Sequence, residues 1–385
     1  LVYLDFVNRN AGGRVGSELA SQGKVGIIFV KVTEMTTIAM ILQFVLMLGL
    51  VMFVHEFGHF IASKSLGIPV EEFGFGLPPR MVKLFTWKGT EFTLNWIPFG
   101  AFVRPKGEND EGEPDGMLAA PAWKRTIILL AGATMNFILG LILLFFLFNA
   151  IGKPVTNQVL ISDVVPNSPA QAAGIQKNDL VLALDGTKID NVDNLVKLIQ
   201  AKSGQNIVLE LQREGQNLSV NLTPNPTIGV YLGNPTVKAS PGESLRNAFQ
   251  GLGQMVKELV TLPARLIRGS IDPEMARLSG FKGMFDMFSY AAEQDQELQS
   301  TGAVSAPVMR MNMVIALTIG LGVMNLMPIP GLDGGQILLL LPELLFKKKL
   351  PQKMVNTLNF MGIALLMLLL VYVNIMDFVN PIKLP

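Results

Sequence analysis

TTIAMILQFVLMLGLVMFVHEFGHFIA, residues 36–62, carries after its two opening threonines one polar residue, Gln43, before it reaches His55. A helix of this length rises about 40 Å, more than the roughly 30 Å of hydrocarbon in a bilayer. The stretch therefore predicts a first transmembrane helix. It is too long for the apolar region of a signal peptide, and no small-residue cleavage site follows it. Within it, HEFGH (55–59) holds the only two histidines of the chain.

Composition agrees with a membrane protein. Half of the 385 residues are hydrophobic and only 16% are charged, against about a quarter in soluble domains. The net charge is +1 and no long basic cluster is present, which removes the electrostatic case for nucleic acid as a partner. With no cysteine, disulfides, thiolate nucleophiles and Cys-ligated zinc are excluded. A metal site has to be built from His, Asp and Glu.

Residues 1–34 are a Gly-rich mixture without a clear period; Met35 is a candidate start, and this extension is set apart from the fold. Residues 66–125, with EFTLNWI and GAFVRP broken by Gly and Pro and then the acidic GENDEGEPDG, predict β-hairpins and loops at the membrane surface. TIILLAGATMNFILGLILLFFLFNAI (126–151) predicts a second span with Asn136 near its middle. Alternating runs such as DLVLALDG and NIVLELQR, with the helix-like NVDNLVKLIQAK, predict a small α/β domain in water over about 155–225. Pro-rich connectors (224–241) follow, then amphipathic surface helices from Glu243 to about Ser300 with breaks at Pro263, Gly269, Pro273 and Gly280. A third span, 311–335, is interrupted by two prolines; a fourth runs from about Val355 to Val373. LLLLPELLF between them is too short to cross alone and reads as a continuation or a re-entrant piece.

Lysine and arginine set the orientation. Lys347, Lys348, Lys349 and Lys353 lie between the third and fourth spans, and Lys64, Arg80, Lys83, Lys88, Arg104, Lys106, Lys124 and Arg125 between the first and second. Both loops belong in the cytoplasm, which places 155–225 outside. HEFGH and PIPGLDGG then share the cytoplasmic side.

His55 and His59, at i and i+4, project from one helix face and suit two positions of a tetrahedral zinc. Glu56 is a candidate general base. HExxH on a helix is a zinc-protease signature, although two satisfied histidines at a helix end give the same five letters; ionisable groups inside a span favour the functional reading. A catalytic zinc needs a third protein ligand. Histidine is used up, and the acid of the third span is Asp333 in NLMPIPGLDGG. A turn aspartate before glycine is the plainer reading of Asp333, but its side of the membrane favours ligation. Pro328, Pro330, Gly331, Gly334 and Gly335 would open the helix beside it.

HEFGH, NLMPIPGLDGG and SPAQAAGIQKNDLVLALDG (168–186) together resemble the site-2 protease family of intramembrane zinc metalloproteases (peptidase family M50), in its bacterial branch with a PDZ domain. The resemblance covers essentially everything after Met35. It implies an α-helical polytopic membrane protein with about four transmembrane helices, a membrane-associated β-hairpin element and one inserted extracytoplasmic PDZ domain. The domains would be 35–151 (membrane core with HExxH), 152–228 (PDZ), 229–305 (connector and amphipathic helices) and 306–385 (membrane core with the LDG motif). It implies one Zn2+ held by His55, His59 and Asp333, Glu56 as catalytic acid/base, and Asn325 and Asn136 as substrate contacts. The implied enzyme sits in the inner membrane with its active site towards the cytoplasm and cleaves single-span membrane proteins, such as anti-sigma factors or remnant signal peptides. The β-element would present substrate in extended form, and the PDZ domain would act as a size filter rather than a reader of carboxyl termini. Two positions depart from the family pattern: Ala133 where proline is common, and Gln336 where histidine often follows LDGG. A non-catalytic PDZ scaffold and a metal transporter are the alternatives; the full set of His55, Glu56, His59 and Asp333 speaks against the first, and the water-exposed PDZ-like domain with Glu56 directly after His55 speaks against the second.

Overall fold

The computed structural model describes residues 26–108, 112–155, 157–225, 227–270, 277–300 and 306–382. Most of the 1–34 extension, the expected break at Pro273 and the middle of the acidic run lie outside the described residues. The chain divides into two compact units, one spanning 24–150 and 242–385, the other 151–241.

In the larger unit four helices are long and apolar enough to cross a membrane, over Thr37–Ser65, Ala122–Ile151, Val308–Asn325 and Gln352–Val379. The first span belongs to α1 (Gly26–Ser65). Leu42, Leu46 and Leu50 on it are exposed, as expected where the surroundings are lipid rather than water.

After α1 the chain forms β1 (Val70–Trp87) and β2 (Thr90–Pro105). These two strands build more than a hairpin. Residues 72–75 pair with 101–104 on one side and 91–94 on the other, and 82–87 pair with 90–94 beyond. Two chain segments thus give a sheet four ribbons wide. The bends fall at Gly76 (φ 81°) and Gly100 (φ 83°), backbone that side-chain-bearing residues rarely adopt. The inner half packs on α1 through Phe53, Phe57, Phe60, Phe73, Phe75 and Phe92. The outer half exposes Met81, Val82, Leu84, Phe85 and Trp87.

α2 (Ala122–Ile151) is the second span. Its small residues allow close helix packing: a Cβ on Gly140 would lie 2.7 Å from Ile319, and a Cβ on Gly58 of α1 would overlap the Ala131 carbonyl. After the smaller unit, α5 (Pro241–Ile267) runs unbroken through Pro263, contrary to the break expected there. Pro263 lies close to the helix end, so its missing amide frees one carbonyl beside solvent. α6 (Phe281–Ser300) follows, then α7 (Val308–Asn325). Asp295 of α6 is fully buried and accepts from the Met309 amide (2.7 Å) and the Arg310 amide (3.2 Å), capping α7 where Pro307 has no side chain to do so.

The third span does not continue to Gly335. It ends at Asn325, and α8 starts afresh at Asp333, running to Phe346 through Pro342; α9 covers Gln352–Val379. The turn between α7 and α8 folds so tightly that a Cβ on Gly334 or Gly335 would overlap the backbone of 326–330, and one on Gly362 of α9 would overlap Pro330. The glycines of LDGG are therefore spacers for a backbone crossing.

The smaller unit carries a sheet of order β8-β7-β5-β4-β9, with β6 on β5: β4 Val159–Val164, β5 Leu180–Leu184, β6 Thr187–Lys188, β7 Ile207–Arg213, β8 Gln216–Leu222 and β9 Val230–Gly233. A two-residue pair, β3 (Lys153–Pro154) with β10 (Thr236–Val237), closes its ends. Helices α3 (Pro169–Ala172) and α4 (Val192–Ala201) are capped by Ser168 and Asn191, whose side chains accept from the Gln171 and Asn194 amides. Ile161, Leu195, Ile207, Leu209 and Leu211 form a fully buried core. The unit reaches Pro241 rather than the boundary of 228 expected from sequence, because β9 and β10 lie within the Pro-rich stretch read as a connector. Prolines at 224, 226 and 235 leave runs too short to show an alternating period.

Candidate metal centre

His55 and His59 lie on α1 one turn apart, and Asp333 is the first residue of α8. The fold brings them together. His55 Nε2 stands 3.1 Å from His59 Nε2, and Asp333 Oδ2 lies 3.2 Å from the first and 3.4 Å from the second. A tetrahedral zinc with bonds of about 2.0 Å has ligand atoms about 3.3 Å apart, so these three atoms describe one face of such a tetrahedron. Asp333 Oδ2 is buried with no hydrogen-bond partner. An orphaned carboxylate oxygen facing two imidazole nitrogens is costly unless a cation joins them. The helix N-terminus at Asp333 favours its negative charge.

Neighbouring groups orient these side chains. His59 Nδ1 lies 2.8 Å from the Ile128 carbonyl of α2; since a carbonyl only accepts, the proton sits on Nδ1 and the Nε2 lone pair faces the site. Gly132, one turn further along α2, makes room for the rings: a Cβ there would lie 2.5 Å from His59 Nε2 and 2.7 Å from His55 Cε1. Glu56 Oε2 accepts from the Val103 amide of β2 at 3.1 Å, which fixes the carboxylate beside the site and leaves Oε1 free of that bond. Asn325, the last residue of α7, brings Nδ2 to 3.1 Å from His55 Nε2, into the space beside the ligand atoms.

Asn136, expected as a substrate contact, is fully buried, with its Nδ2 3.3 Å from His55 Nδ1. The Ile128 carbonyl, the Val103 amide and the spacing role of Gly132 were missed from sequence. The first two are backbone groups, invisible in residue identity; Gly132 left a faint trace as a small residue inside a span.

The arrangement can hold one divalent cation with three protein ligands and set a carboxylate beside it, the layout of a hydrolytic metal site with an open position. Comparison with known proteins points the same way. Residues 43–369 match the model of peptidase family M50. A Campylobacter jejuni protein whose name assigns it as a zinc metalloprotease is 31% identical over 357 residues, covering 86% of this chain and 91% of that one. Zinc metalloprotease RasP of Geobacillus kaustophilus is 27% identical over 430 residues (88% and 97%). The chloroplastic membrane metalloprotease ARASP of Arabidopsis thaliana is 29% identical over 365 residues (88% and 78%).

Proposed function

The chain belongs to peptidase family M50 and is a zinc metalloprotease of the membrane, and from that premise we propose that it cuts transmembrane segments of single-span membrane proteins. His55, His59 and Asp333 hold the zinc, and Glu56 is the catalytic acid/base. The observation that carries the reading is the buried Asp333 Oδ2, partnerless and 3.2–3.4 Å from two imidazole nitrogens that lie within the first span.

Zinc, when bound, supplies a Lewis acid that polarises a carbonyl and acidifies water. The chain's own groups do the rest. Glu56, held through Oε2 by Val103, takes a proton from the attacking water at Oε1 and returns it to the leaving amine. Asn325 offers its amide N–H groups to the carbonyl oxygen as charge builds there. A helical substrate hides its carbonyls in backbone hydrogen bonds, so it has to unwind first, and substrates with helix-breaking residues are preferred. The sheet edge at 101–104, whose Val103 amide bonds Glu56, suits presentation of an extended segment.

The unit over 151–241 is read as a PDZ domain on the extracytoplasmic side, with the metal towards the cytoplasm of the inner membrane; the lysine- and arginine-rich loops support this orientation. It acts as a size filter against substrates with untrimmed outer domains, such as anti-sigma factors before a first cut. Deleting the whole unit, 151–241, should raise cleavage of untrimmed substrates, and an undiminished need for trimming would sink the filter.

The deciding experiment for the enzyme is Glu56→Gln in a membrane cleavage assay, with zinc measured in parallel. Cleavage should fall by about 10²–10⁴-fold while zinc is retained. Unchanged cleavage would sink the assignment.

A further inference from the structure

The two histidines need the same internal chemistry, but their surroundings are not equally explicit. For each Nε2 to bind a metal, the ring proton has to sit on Nδ1, and Nδ1–H then needs an acceptor. His59 has one in the Ile128 carbonyl, 2.8 Å away. The polar neighbours of His55 Nδ1 are two side-chain amides, Asn136 Nδ2 at 3.3 Å and Asn325 Nδ2 at 3.5 Å. A donated N–H at Nδ1 would force the proton onto Nε2, between His59 Nε2 at 3.1 Å and Asp333 Oδ2 at 3.2 Å, and would close the metal face. The opposite end of the Asn136 amide, Oδ1, is buried without a hydrogen-bond partner. Oxygen and nitrogen of such an amide exchange places on a half-turn of the group. The turn gives the orphaned oxygen a donor and His55 its acceptor.

We propose that Asn136 is a positioning residue whose Oδ1 accepts from His55 Nδ1–H and so keeps His55 Nε2 bare for the zinc. It does for His55 what the Ile128 carbonyl does for His59, and both come from α2, on either side of Gly132. The Thr318 hydroxyl, donating to the Asn136 backbone carbonyl at 3.3 Å, ties this turn of α2 to α7. The inference rests on His55 being a ligand, as proposed above.

Asn136→Leu keeps the approximate volume and removes the acceptor, whereas Asn136→Asp keeps an acceptor and has no donor. In the purified full-length protein, zinc affinity measured against a chelator should fall about 10–100-fold in Asn136→Leu and stay within about 3-fold of the parent in Asn136→Asp. Leucine at parental affinity overturns the proposal, as does aspartate falling as far as leucine while its metal-free form melts like the parent. A measurement on the unmutated chain is independent of folding defects. With only two histidines, nitrogen-15 spectra of the metal-free protein at a pH where both rings are neutral should show both as Nδ1–H tautomers, and a ring with its proton on Nε2 overturns the proposal. His55→Ala separates the two levels: retained zinc affinity in that variant defeats the ligand assignment, whereas lost affinity there with none lost in Asn136→Leu defeats only the role of Asn136.

Discussion

Asp179 and Asp333 are both aspartates withdrawn from solvent, one in each compact unit, and their partners could hardly differ more. Asp179 is gripped by the Arg213 guanidinium through both oxygens at 2.7 Å and also accepts from the Gln176 amide at 2.8 Å. Every lone pair that matters is matched, so the carboxylate locks β7 to the loop before β5 and does nothing else. Asp333 meets no lysine or arginine among the described residues, and its Oδ2 is left without a hydrogen-bond partner, 3.2 and 3.4 Å from the Nε2 atoms of His55 and His59. Asp295 and Asp377 belong with Asp179: both are buried and accept from backbone amides and from an arginine. Among these acids, incompleteness sets apart the one proposed as a ligand.

The contrast can be broken most severely at Asp333. Asp333→Asn keeps the shape and removes the charge; zinc affinity should fall by more than the roughly 100-fold upper range seen when only an outer partner is lost, and cleavage should vanish with it. A variant that keeps stoichiometric zinc would put Asp333 in the same class as Asp179. The converse change, Asp179→Asn, leaves Arg213 without its ion pair and loosens the smaller unit. Hydrogen exchange of β5 and β7 in the full-length protein should speed up while zinc content is unaffected, and altered zinc would mean the units are not independent.

Gly132→Ala tests the same division by crowding. Alanine favours a helix over glycine by about 1 kcal/mol, so α2 should hold, yet the added carbon would sit where the imidazoles need to be. Zinc affinity should drop about 10-fold or more without loss of thermal stability; unchanged affinity would show that the rings can shift freely.

The smallest effect is in pH. Burial works to raise the Asp179 carboxyl, but the Arg213 ion pair and the Gln176 amide outweigh it and hold it below the usual carboxylate value. Its folded value thus lies below an unfolded value of about 3.9, so its contribution to stability is complete above that value. That contribution is lost as pH falls from there through the folded value. Exchange protection in β5 and β7 should therefore be flat above about pH 5 and decline below about pH 4, and Asp179→Asn should remove that decline.

Much of this was legible from residue order. Lipid-crossing length and the four-residue spacing of His55 and His59 are local properties, which is why all four expected spans appear, although the third ends at Asn325 and not at Gly335. Elements were lost where the signal was not periodic. β9 and β10 are too short and too closely flanked by proline, and α5 survives Pro263 because a proline near a helix end costs little. The doubled-back sheet of β1 and β2 needed the turning points at Gly76 and Gly100, which in one dimension look like ordinary loop glycines.

The chain's own text determined that an unpartnered ligand set was required: two histidines, no cysteine, and an acid to be found elsewhere. It named Asp333 by elimination, 274 residues beyond His59. Tertiary structure decided the rest, because the remaining parts are relations between elements. Only packing of α2 against α1 sets the Ile128 carbonyl on His59 and Asn136 on His55, and only the sheet brings the Val103 amide to Glu56. A backbone carbonyl has no letter in a sequence, and which carbonyl meets which imidazole depends on how closely two helices approach, here on a glycine with no side chain to hold them apart.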